Sequence, residues 1–154
     1  MCPEKREEHS SDGDYTRSQL RSLIFHVLYG MEGRNYEDSV DLIIDNINCG
    51  YDQKIKLDGE VAQSAQSIVD MRDKLDDIIK SFLQNWRIER LGMCTKIILR
   101  IGTWEILETD TPSSIIINEA IELAKDFGEK DAYKFINGIL DQVAEKREEL
   151  KKEQ

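Results

Sequence analysis

Apolar side chains recur at three- and four-residue spacing along almost the whole chain, and only two prolines, Pro3 and Pro112, interrupt it. That period is the helical one and leaves little room for strands. Thr16, with Gln19 three residues on, forms a capping box that opens a first helix. Leu20, Leu23, Ile24, Val27 and Leu28 give this helix one apolar face, and Gly30 and Gly33 end it. A second helix carries Val40, Ile43, Ile44 and Ile47 and stops near Gly50. A third opens near Asp58, a good N-cap residue, and keeps its face from Val61 through Phe82 to Asn85. Residues 86–92 read as a corner broken by Gly92. A fourth helix carries Ile97, Ile98, Ile101 and Trp104, and a turn follows at 109–112. The fifth, around 116–127, buries Ile117, Ala120, Ile121 and Ala124 and ends at Gly128. The last starts near Lys130 and carries Ala132, Phe135, Ile136, Ile139, Leu140 and Val143. Amphipathic helices joined by short connections predict an all-α bundle. Residues 1–14 have no such period and are expected to form a flexible acidic tail, and 148–154 a frayed charged end.

Bulk chemistry narrows the function. At 154 residues the chain is one domain of ordinary size, large enough for its own core. Its 31 acidic and 21 basic side chains give a net charge of −10, which excludes a broadly electrostatic, non-specific nucleic-acid binder. Three cysteines, odd in number and without a CxxC, point to a reducing cytosol, with Cys49 and Cys94 as thiols rather than a disulfide framework. His9 and His26 do not cluster with them as a metal site would require, so neither metal nor cofactor is expected. GxGxxG, GxxxxGK[ST] and GxSxG are all missing, so nucleotide and serine-hydrolase chemistry have no support. No apolar run approaches the roughly 20 residues of a membrane span. The first residues lack the apolar core of a signal peptide. Asp70, Asp73, Asp76 and Asp77 read as a solvated acidic face, and Trp86 and Trp104 as core.

The acidity is unevenly placed. Residues 35–85 carry −6 and 108–131 carry −5, whereas 15–34 carry +2 from Arg17, Arg21 and Arg34 against Glu32. Residues 86–107 also carry +2. Arg17 and Arg21, four apart, share a helix face; that pair suits either two phosphates or a solvated flank of the core. On the last helix Asp131, Phe135, Gly138 and Gln142 line one edge of the apolar stripe, with Lys134 further out. An aromatic at such an edge serves either as a core residue or as a stacking platform for an unpaired base. A glycine there serves either helix packing or the close approach of a ligand.

Four linked stretches carry more information than their period. They are Trp86-Arg-Ile-Glu-Arg-Leu91, Ile97-Ile-Leu-Arg-Ile-Gly-Thr-Trp-Glu-Ile-Leu107, Ile117-Asn-Glu-Ala-Ile-Glu-Leu-Ala-Lys-Asp-Phe-Gly128 after Pro112, and Lys134-Phe-Ile-Asn-Gly-Ile-Leu-Asp141. In order and spacing they resemble the NusB family of transcription antitermination proteins. The first helix fits more loosely, and 35–85 only in helical pattern and acidity.

The resemblance implies an all-α, NusB-like bundle of about six to seven helices over 15–147, in two packed subdomains of about 15–85 and 86–147. It implies no catalysis. Members bind the unpaired boxA element of ribosomal RNA leaders together with the small-subunit ribosomal protein NusE, in the bacterial cytoplasm. The complex is delivered to RNA polymerase, which then resists termination. Carried over by position, the RNA-facing residues are Arg17, Arg21, Asp131, Lys134, Phe135, Asn137 and Gly138, and the NusE-facing ones Thr95 and Glu105. The arginine-rich opening of the family's first helix is thinned here to Arg17 and Arg21, which implies weak RNA affinity without NusE. Two other functions stay open: a free-standing accessory subunit of a ribosomal RNA methyltransferase, and a helical scaffold for proteins alone. A homodimer is a further possible assembly.

Overall fold

The computed structural model describes residues 15–85 and 87–153. The expectations for the 1–14 tail and for Trp86 therefore lie outside the described residues. Among those described there is no strand. The chain forms two compact units, one through Val69 and one from Asp70.

In the first unit, α1 (Arg17–Gly33) opens on the expected capping box. Thr16 Oγ1 accepts from the Gln19 N–H at 3.1 Å, and Gln19 Oε1 accepts from the Thr16 N–H at 2.8 Å. Its buried face packs on α2 (Val40–Tyr51), capped by Ser39 and ended by Asp52 in the left-handed region. Asn48 pins the following loop, its side chain donating to the Ile55 carbonyl and accepting from the Ile55 N–H, both at 2.9 Å. Cys94 is a free, half-buried cysteine, as expected.

The long third helix expected from Asp58 to Asn85 is two helices, α3 (Glu60–Asp70) and α4 (Arg72–Phe82), broken at Met71 with ψ of 6°. The break falls at the edge of the two units. The subdivision expected at 85/86 puts α4 in the first half, but its buried Leu75 and Ile79 pack with α5 (Met93–Glu108) and α7 (Ala132–Glu145) in the second unit. A short 3-10 turn, Ile88–Arg90, leads into α5. Helix α5 is buried on nearly every side, the signature of a central core helix, between α4, α6 (Ser113–Phe127) and α7. Trp104 is its half-buried flank rather than full core. Gly128 closes α6 as expected, but at an ordinary φ of −84°. Glycine is needed there because a Cβ would stand 2.7 Å from the Ala124 carbonyl oxygen.

Two long-range contacts finish the helix ends of this unit. Gly92, the N-cap of α5, offers no side chain, and the Glu129 carboxylate from the α6–α7 turn lies beside this helix start. Its Oε2 accepts from the Thr95 hydroxyl at 2.6 Å, and a Cβ on residue 92 would collide with its carboxylate. Burial, then the Glu129 charge, pushes the Cys94 thiol pKa up. At the other end Arg147 donates to the Ile106 carbonyl at 2.8 Å and the Thr109 carbonyl at 3.3 Å, covering the orphan acceptors of α5. The charged end expected to fray from 148 is thus largely helical, as α8 (Arg147–Lys152), packed on α5 and α7.

His26 makes stability respond to pH. Partial burial of its ring lowers its pKa from the ordinary 6.5. The unfolded chain therefore takes up the proton first as pH falls. The stability His26 contributes is present above pH 6.5 and is lost as pH drops through the lowered folded value. Urea midpoints compared at about pH 5 and about pH 7.5 are expected to differ less in His26→Gln than in the parent. Equal pH slopes in the two proteins would show that His26 is not a source of the dependence.

Candidate nucleic-acid interface

The residues expected to face RNA stand on two elements, α1 and α7, one in each unit. On α1 the two arginines part company. Arg17 is 71% exposed and ion-paired with Glu60, also well exposed. Arg21 is only 6% exposed. The two therefore differ in exposure, with Arg17 presented to solvent and Arg21 buried. Four-residue spacing puts both on one edge, but Arg21 is buried on the same helix as the core residues Leu20, Leu23 and Ile24.

Helix α7 presents more. Asp131 is its exposed N-cap, held left-handed at φ 65°, with no capping hydrogen bond from its side chain. Phe135 is half-buried and Gly138 exposed one turn on, with Gln142 donating to the Gly138 carbonyl at 3.3 Å. A Cβ at Gly138 would meet nothing within 4 Å. Packing within the described chain therefore does not require this glycine, although it weakens the helix by about 1 kcal/mol relative to alanine. Asp131, Phe135, Gly138 and Gln142 thus form a low, open edge with one aromatic at its margin.

Asn137 does not join that edge, and Lys134 stands further out beside it. At about 100° per residue, Asn137 lies on the side of Tyr133, across the apolar stripe from Phe135. The Lys134 ammonium stands 5.9 Å from the centre of the Tyr133 ring. Thr95 and Glu105 are both buried on α5, and the Thr95 hydroxyl already serves Glu129. Neither side chain offers much surface to a protein partner in the free chain. Tyr133 was missed from the sequence because a second ammonium near its ring, that of Lys125 at 5.3 Å from the ring centre, comes from another helix, α6. Among the described residues no group of three His, Cys, Asp or Glu is placed to hold a metal ion, and no helix is long and apolar enough to cross a membrane.

The family model for the NusB family matches residues 18–145, most of both units. The chain belongs to the NusB family. A transcription antitermination protein NusB from Staphylococcus haemolyticus is 37% identical over 129 residues, covering 83% of this chain and 98% of that one. The solved NusB of T. maritima superposes with a TM-score of 0.74 at 30% identity, covering 88% of this chain and 96% of that chain. A solved complex of the antitermination factors NusB and NusE with double-stranded RNA shares the fold, with a TM-score of 0.67, 24% identity and coverage of 84% and 96%. These NusB relatives are helical proteins of similar length to this chain, and the NusB assignment rests on both sequence and fold.

Proposed function

We propose that this NusB-family chain is a non-catalytic transcription antitermination factor of the bacterial cytoplasm. It binds the unpaired boxA RNA of ribosomal RNA leaders together with ribosomal protein NusE, and the complex makes RNA polymerase resist termination. The observation that carries the reading is the open α7 edge, where Phe135 flanks a glycine that no internal contact requires. Such an edge lets a base stack on the ring while the backbone passes close to the helix, and Asp131 and Gln142 supply polar groups for base edges. The naming of solved relatives for NusB, NusE and RNA supports the choice of partners.

Charge decides how the partners divide the work. Arg17 is the arginine of the pair presented on α1, and Glu60 competes for it. The acidic body repels stray RNA and suits a basic ribosomal protein, which then supplies positive surface. In a gel shift with boxA RNA at matched salt, NusE is expected to tighten binding by at least about tenfold. Phe135→Asp is expected to weaken the ternary complex by about tenfold or more while circular dichroism stays helical. Equal affinity of the chain alone and with NusE would overturn the division of charge. Unaltered RNA binding by Phe135→Asp would overturn the α7 edge as the contact.

A further inference from the structure

The turn between α6 and α7 is built around Glu129. Its side chain reaches back to α5, where Oε2 accepts from the Thr95 hydroxyl at 2.6 Å. Its backbone carbonyl accepts from the N–H of Ala132, the first residue of α7, at 3.0 Å. One residue earlier the Gly128 N–H donates to the Ala124 carbonyl at 2.8 Å and closes α6. Glu129 thus ties the turn to α5 by its side chain and to α7 by its backbone. Residue 92 makes room for this. A Cβ there would collide with the Glu129 carboxylate, while φ of −58° and ψ of 150° are open to any residue. The carboxylate also lies at the positive end of the α5 dipole.

Asp131 follows two residues later. An aspartate at a helix start ordinarily has extended backbone and accepts from an amide of the first turn. Asp131 does neither: it is left-handed, with φ 65° and ψ 6°, and its side chain makes no capping bond. Nor does core packing hold this end of α7, because its first buried residue is Ile136. The anchored turn is what precedes it.

We propose that Glu129 is a positioning residue for the RNA-facing edge of α7. Its bond to Thr95 fixes the α6–α7 turn, which holds Asp131 left-handed and uncapped and sets the first turn of α7 up to Phe135. The inference rests on the RNA-binding reading above, and Glu129 itself touches no RNA in it. Released from Thr95, the turn lets Asp131 fold back as an ordinary cap. RNA must then reorder the helix start, and that entropic cost appears as weaker binding.

The test titrates boxA RNA into the NusE complex and follows amide hydrogen exchange in the free chain. Thr95→Val removes the donor at nearly the same shape and is expected to weaken RNA binding about fivefold, within the net worth of one hydrogen bond. Thr95→Ser keeps the hydroxyl and is expected within about twofold of the parent. Gly92→Ala leaves both partners in place but displaces the flexible carboxylate, so it should match Thr95→Val at little cost in folding. In both weakened variants the amides of 130–134 should exchange faster while those beyond Ile136 keep parental protection. Parental RNA affinity in Thr95→Val and Gly92→Ala would overturn the proposal. So would loss of protection along all of α7, or reduced NusE affinity with parental exchange at 130–134, which would make the pair a protein contact. A parent complex that fails to bind boxA RNA would instead overturn the RNA-binding reading, and exchange at 130–134 would still report on the anchor.

Discussion

Asp76→Ala is expected to destabilise the second unit by about 3 kcal/mol, seen as a lower urea midpoint at an unchanged m-value. Asp76 on α4 accepts two parallel bonds from Arg100 on α5, Nε to Oδ1 at 2.7 Å and Nη2 to Oδ2 at 2.9 Å. The arginine side chain is 7% exposed and the carboxylate 18%. Bidentate, charge-assisted bonds of this kind are strong, but their net value is small once desolvation is counted. The large effect comes from removing one member. A buried guanidinium deprived of its anion costs about 3–5 kcal/mol, and the wetter side of this pair favours the lower figure. Arg100→Met is expected to cost less, about 1–2 kcal/mol, because Asp76 rehydrates and methionine fills the space. Asp76→Leu combined with Arg100→Met is expected within about 1 kcal/mol of the parent. A loss below about 0.5 kcal/mol for Asp76→Ala would mean the pair behaves as a surface ion pair.

Asp76 also marks the limit of what the sequence discloses. Among neighbouring acids on a charged helix it reads as solvated, because its partner lies 24 residues on. The helices themselves were legible. Their period, the Thr16–Gln19 box and the stop at Gly128 are local signals, and local signals survive folding. The break at Met71 was not legible, since no glycine or proline marks it and the apolar period runs through it. The break separates two sets of buried residues, Val61 to Ile68 in the first unit and Leu75 to Ile79 in the second.

The candidate interface was legible in part for the same reason. Phe135 and Gly138 share an edge by helix geometry alone, and the structure leaves that edge open. Whether an edge is covered depends on packing beyond the helix itself, and Arg21 is buried one turn from an exposed Arg17. The Lys125–Tyr133 contact joins two helices, so no spacing on either one announces it.

The two helical glycines of the second unit are expected to respond in opposite ways. A Cβ at Gly102 on α5 would stand 2.7 and 2.9 Å from the two methyls of Leu140 on α7 and 3.4 Å from its Cγ. Leu140 has no exposed surface, so its methyls have no solvent to move into. Gly102→Val must therefore distort the leucine rotamer or separate α5 from α7, at a cost of about 3 kcal/mol. Leu140→Ala alone is expected to cost about 2–5 kcal/mol by the transfer and cavity terms. With both changes the valine grows into the vacated space, so the double variant should be more stable than the sum of the singles by about 1–2 kcal/mol. Additivity within about 0.5 kcal/mol would show that this contact does not set the α5–α7 spacing. Gly138→Ala is the internal contrast: its Cβ enters open space, so helix propensity alone acts and stability should rise by about 1 kcal/mol. That gain should come with weaker boxA binding, because the methyl raises the floor on which the RNA backbone is to rest. A Gly138→Ala variant that is both more stable and unchanged in RNA affinity would separate the glycine from the interface and leave Phe135 to carry it.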